Sequence, residues 1–231
     1  MWDDEIEQTK AHAVRANSVI EKFTEQLSHY TFENSGDRLN VALPLLKASI
    51  DIAAAATRLL TLDPVQYGGA AEAMFRPQLE RYLRAVYFAS PNLTTDEQVR
   101  AFLDEDKFKV QFDDLTKSVA AELVRQIGKP NDPLATAFSN IVIFEKHDLH
   151  GAVHGGRLVV LRYLNEWVAY NPWPLSYGTQ VDAMLHLCIL AYGQAAYLHG
   201  SDLIITPDFA KAWVEAMPEF AETIAAGVPA D

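Results

Sequence analysis

Apolar residues in this chain recur at spacings of three and four, and no stretch alternates β-branched with polar residues between hairpin turns. A period near 3.6 gives a helix one buried face, whereas a half-buried strand needs a period of two. The chain is therefore confined to an all-α fold. Short breaks rich in Gly, Pro, Asn and Asp separate the periodic segments, which predicts a helical bundle of seven to nine helices. Ile6, Val14, Ile20, Phe23 and Leu27 mark the apolar side of a first helix ending near His29. Leu45, Leu46, Ile50, Ala53, Ala56 and Leu60 mark a second, with Pro44 near its start. Asp63-Pro64 stops it, Gly68-Gly69 marks a turn, and a third helix runs from about Ala70 to Ala89. Thr94 with Glu97 matches a capping box for a short helix to about Asp104. Further helices are expected over 112–127, from Pro133 onward, and over 157–170, 181–199 and 207–225. No repeat or composition break divides the chain, so 1–231 reads as one domain with a loose tail from about 226.

Charge and cysteine usage narrow the function classes. Nineteen Lys and Arg stand against 31 Asp and Glu, a net charge of −12. Such a field repels nucleic acid and anionic membrane at long range unless a local basic cleft is built. A single cysteine, Cys188, permits neither an internal disulfide nor a cysteine-based zinc site, and a reducing cytoplasm is expected. The opening MWDDEIEQ is acidic and lacks the apolar run of a signal peptide. Asp182, His186 and Gln194 interrupt the most apolar segment, 181–198, which reads as a buried helix and not a membrane span.

Two polar stripes stand out. The first is EKHDLHGAVHGGRLVVLRYLNE at 145–166. On a helix, His147, His150, His154 and Arg157 fall within an arc of about 80°, in line with Ile143, Leu161, Leu164 and Val168. The imidazoles thus share the face that should turn inward. Three readings are open. His150 and His154, four apart, could grip a metal, but Gly151 stands where the HExxH motif has its glutamate. One histidine could act as a general base near neutral pH with an arginine stabilising negative charge. The histidines could instead bond structurally inside a helix packing site. Gly151, Gly155 and Gly156 each weaken a helix by about 1 kcal/mol and mark either close packing or room for a ligand.

The second stripe is on FRPQLERYLRAVYF at 75–88. Arg76, Glu80, Arg84 and Tyr87 fall within an arc of about 80° beside Leu79, Leu83 and Val86. A boundary salt-bridge ladder and an anion site served by Arg76 and Arg84 both fit this pattern; Arg81 points elsewhere, into solvent. No phosphate-binding glycine loop or nucleophile elbow is present, and no cofactor or tightly bound metal is expected.

The 75–88 segment, AFLDEDKF at 101–108 and DLHGAVHGGRLVVLRY at 148–163 together resemble a family of uncharacterised bacterial helical proteins. That family looks related to abortive-infection proteins and, more distantly, to the HEPN (higher eukaryotes and prokaryotes nucleotide-binding) superfamily. The resemblance implies a helical bundle, commonly a homodimer, in which Arg76, Glu80, Arg84, His154 and Arg157 form a His/Arg site. It also implies metal-independent action on RNA or a nucleotide in a toxin or phage-defence setting. Neither histidine of HGAVHGG has an arginine four to six residues before it, as the HEPN ribonuclease signature requires. A non-enzymatic helical binding or interaction module with a structural His/Arg pocket is the alternative. On the first reading His154 is the general base beside His150, Arg76 and Arg157 hold phosphate, and Arg84, Glu80 and Tyr87 line the ligand site. The third helix is then expected to pack against the histidine segment.

Overall fold

The computed structural model describes residues 2–28, 36–127, 133–144 and 174–199. Eight helices fill most of them: α1 (Trp2–Ser28), α2 (Asp37–Leu62), α3 (Pro64–Ala73), α4 (Phe75–Ala89), α5 (Asp96–Glu105), α6 (Phe112–Ile127), α7 (Pro133–Phe144) and α8 (Pro174–His199). No strand occurs among the described residues. The all-α bundle read from the periodicity is therefore the observed architecture. The helices expected over 157–170 and 207–225, the 226–231 tail and the whole histidine segment lie outside the described residues.

α2 is the hub. It packs on α1, α3, α4, α5 and α8, and its Leu46, Ile50, Ala53, Ala56 and Leu60 are all buried. Ala53 and Ala56 keep that face low, so neighbouring backbones come close. α1 answers with Ala13, Ala16, Val19, Ile20, Phe23 and Leu27, and α8 with an almost continuous buried run from Val181 to Ala196. Phe23 meets Tyr192 with ring centroids 5.1 Å apart. α2 and α8 are each long and apolar enough to cross a bilayer, but 72% of the apolar stretch of α8 is buried within the fold, against 44% for α2. Cys188 is fully buried, and desolvation raises its thiol pKa above the ordinary range.

The termini of the elements follow side-chain chemistry, and here several expectations change. Asp63 and Pro64 open a helix as well as closing one. Asp63 Oδ1 accepts from the Val65 and Gln66 amides, Pro64 takes the first helical position, and α3 runs through Gly68 and Gly69. Two satisfied amides and a pre-set φ outweigh the cost of the two glycines. The third expected helix is accordingly two, α3 and α4, parted at Met74. The capping box is displaced by one residue from Thr94/Glu97. Thr95 Oγ1 accepts from the Gln98 amide at 3.3 Å, and Gln98 Oε1 accepts from the Thr95 amide at 2.8 Å. Thr94 is buried instead. Val14 is 56% exposed and does not belong to the α1 core face, whose line passes through Ala13 and Ala16. α8 begins at Pro174, earlier than the apolar run suggested.

Arg38 fastens the hub to the far end of α4. Its Nη1 donates to the Phe88 and Ser90 carbonyls at 3.0 and 3.3 Å, its Nη2 to the Thr94 carbonyl at 2.6 Å, and its Nε to Asp96 at 2.8 Å. A guanidinium there caps carbonyls that the end of α4 leaves without helical partners. Glu122 of α6 secures the same corner. It is buried and accepts from Ser90 Oγ, from Arg125 through Nε and Nη2, and from Gln126. Those donors, led by Arg125, hold its carboxyl pKa down at about 2.

Candidate functional site

α4 sets out its polar stripe as the spacing predicts. Pro77 sits in the first turn, where its missing amide hydrogen breaks no helical bond. Leu79, Leu83 and Val86 are fully buried, so the next face round, with Arg76, Glu80, Arg84 and Tyr87, lies along the core boundary. Arg76 Nε donates to Glu80 Oε1 at 2.8 Å, and Arg84 Nη2 lies 3.7 Å from Glu80 Oε2. One carboxylate therefore serves two guanidiniums, a turn above and a turn below it. Arg81 is not simply solvated: its Nη1 donates back to the Pro77 carbonyl at 3.2 Å.

Aromatic rings hold the guanidiniums. The Arg76 guanidinium carbon is 3.3 Å from the centroid of Phe112, and that of Arg84 is 4.8 Å from the centroid of Phe108. Phe108 in turn meets Tyr87, Phe88 and Phe102 with centroids 5.8, 5.5 and 6.5 Å away. The segment between α5 and α6 thus forms a strap antiparallel to α4. Along it, Phe108, Val110 and Phe112 are partly buried while Lys107, Lys109 and Gln111 are exposed, the alternation of an extended chain. The lengths agree. From Arg84 to Arg76 is about 12 Å of helix, and from Phe108 to Phe112 is about 13 Å of extended backbone. Asp106 starts the strap in the left-handed conformation, φ 50°, and closes α5 with its amide on the Ala101 and Phe102 carbonyls.

His147, His150, His154 and Arg157 lie outside the described residues, as do Gly151, Gly155 and Gly156 and the aromatic group Trp167, Tyr170 and Trp173. Of the predicted site residues, Arg76, Glu80, Arg84 and Tyr87 are brought together on one face. Among the described residues, no three His, Cys, Asp or Glu side chains are grouped to hold a metal ion. What the described half can do chemically is present positive charge. Two cations on one anion leave one net positive charge, in a chain of net −12, with Arg76 only 12% exposed and Glu80 and Arg84 36% and 38% exposed.

Some polar pairings went unseen in the sequence. Gln78 is fully buried between α4 and α8, where its Nε2 donates to the Met184 carbonyl at 2.9 Å. His12 Nε2 lies 2.8 Å from Asp182 Oδ1, joining α1 to α8. His186 Nδ1 lies 2.9 Å from the Asp182 carbonyl, a geometry that puts its proton on Nδ1. Gln78–Met184 and His12–Asp182 join residues over a hundred positions apart and leave no local signal, whereas His186 and Asp182 are one turn apart on α8. Comparison with protein-family models, curated proteins and solved structures finds no match for the chain.

Proposed function

We propose that this chain is a HEPN-like helical protein that acts on a phosphate-bearing substrate, RNA or a nucleotide, in a toxin or phage-defence setting. One observation carries the reading: an arginine pair shares a single carboxylate and is laid on phenyl rings, so a net positive charge is pre-oriented at the core boundary. Pre-oriented guanidiniums stabilise anionic charge at little reorganisation cost. His154 then serves as general base with His150 beside it, and Arg157 joins the stripe around the phosphate. The chemistry is metal-independent, and a homodimer in a reducing cytoplasm is its setting.

A second reading rests on a separate observation. Arg76 is almost wholly buried, bonded to Glu80 and stacked on Phe112, which is how a guanidinium that joins helices is used. On that reading the protein is a non-enzymatic interaction module. The charge of −12 sits well with it. His154→Ala separates the two. In a toxicity or phage-protection assay where the wild-type protein is active, the variant should fold normally and lose activity. Wild-type behaviour from a folded His154→Ala protein would rule out the enzymatic reading and leave the interaction module.

A further inference from the structure

We infer that Arg84, and not Arg76, is the group on α4 that contacts the anion, and that the ligand is a single phosphate group of mononucleotide size and not an RNA tract. The inference rests on the phosphate-directed reading above and sharpens it. The two arginines are placed differently. Arg76 donates a 2.8 Å bond to Glu80, lies 3.3 Å from the centroid of Phe112 and is 12% exposed. An anion could reach it only by displacing the carboxylate or the ring. Arg84 is 38% exposed and, at 3.7 Å, is drawn to Glu80 without hydrogen-bonding to it. It donates no hydrogen bond among the described residues, and its Nε is a closed-in donor with no acceptor. Glu80 thus attracts Arg84 while leaving its donors to spare.

Orientation is supplied from behind. Phe108 lies under Arg84 and is itself wedged among Tyr87, Phe88 and Phe102. A guanidinium fixed over a ring and 38% exposed can offer its outer amino groups to two oxygens of one phosphate, which a lysine ammonium cannot match in geometry. Arg76 is then a positioning residue. It holds Glu80, and Glu80 holds Arg84. Ligand size follows from charge. Binding an RNA tract requires several phosphates to be neutralised by cations. On the described part of the stripe one guanidinium, that of Arg84, is accessible, and the whole-chain charge of −12 opposes a polyanion far more than a monoester.

The test is calorimetric titration of the full chain at low salt with inorganic phosphate, AMP and a single-stranded RNA hexamer. Wild-type protein should bind AMP more tightly than it binds the hexamer. Arg84→Ala should weaken AMP binding by about tenfold or more, as loss of charge-assisted hydrogen bonds requires, with an unchanged melting midpoint. Arg84→Lys should restore part of the affinity. Arg76→Lys should lower the melting midpoint and weaken AMP binding by less than Arg84→Ala does, since it moves the ligand contact only indirectly. Arg84→Ala binding AMP like the wild type overturns the assignment, and so does a wild-type chain that AMP and phosphate both fail to saturate. Tighter binding of the hexamer overturns the ligand class. If Arg84→Ala loses AMP but the wild type turns over neither RNA nor nucleotide, the assignment stands and the enzymatic reading falls.

Discussion

Glu80 shows how exposure sets the worth of one side chain. Were the carboxylate buried, removing it would leave stranded charges at a cost of about 3–5 kcal/mol. It is 36% exposed, and Arg84 beside it is 38% exposed; only Arg76 would be left in a poorly solvated place. Glu80→Ala should therefore cost about 1–2 kcal/mol, between the limits for exposed and buried pairs, measured by urea unfolding. Glu122 is the contrasting case, 3% exposed with its carboxyl pKa held at about 2 against an ordinary 4.5. A lowered folded-state value means the stabilisation is complete above about pH 4.5 and is lost as pH falls toward 2. Its size is on the order of 2–3 kcal/mol, since half-exposed Arg125 is partly screened. Glu122→Gln should flatten the fall in unfolding free energy between pH 5 and pH 3 that the wild type shows. An unchanged pH profile would mean that other carboxylates govern that window.

At the scale of elements, the ends of helices carry as much information as their faces. Arg38 sits at the start of α2 yet binds three carbonyls at and beyond the end of α4, together with Asp96 in the first turn of α5. Three elements depend on one guanidinium. Arg38→Ala should cost about 2–3 kcal/mol, because charge-assisted bonds to half-buried carbonyls are lost together. Hydrogen exchange should rise first in the amides of 90–99, since Arg38, Ser90 and the Thr95/Gln98 box hold that corner. Equal exchange there in both proteins would show the clamp to be redundant. The strap belongs to this scale too. It is built from an α5 end turned by Asp106, an alternating run and the start of α6, and it places both phenyl rings under the arginines.

For the whole molecule, α2 at the centre explains why one apolar cluster links all eight described helices. Val14, Ile143 and Tyr197 are 56%, 56% and 57% exposed, as single apolar side chains on a protein surface commonly are. A homodimer is our expectation for the chain in solution. Light scattering at micromolar concentration should give twice the 25.7 kDa chain mass. A single chain mass across that range would remove the dimer from the proposal.

The sequence by itself determined the class of fold, because a 3.6-residue apolar period admits one secondary structure and one buried face per segment. It also placed Arg76, Glu80, Arg84 and Tyr87 on one side of one helix, since relative angle on a helix depends on spacing alone. Finer boundaries were out of its reach. Thr94 and Thr95 both look like caps, and only packing decided that Thr94 is buried and Thr95 caps. Asp63-Pro64-Val65 reads equally well as a stop or a start until its carboxylate is seen on the Val65 amide. The tertiary structure alone decided which rings lie under which arginines and that Arg38 ties α2 to α4. It also alone paired His12 with Asp182. These pairings join residues 24 to 170 positions apart and depend on how helices cross. Crossing is set by the summed shape of many side chains, which no local pattern encodes.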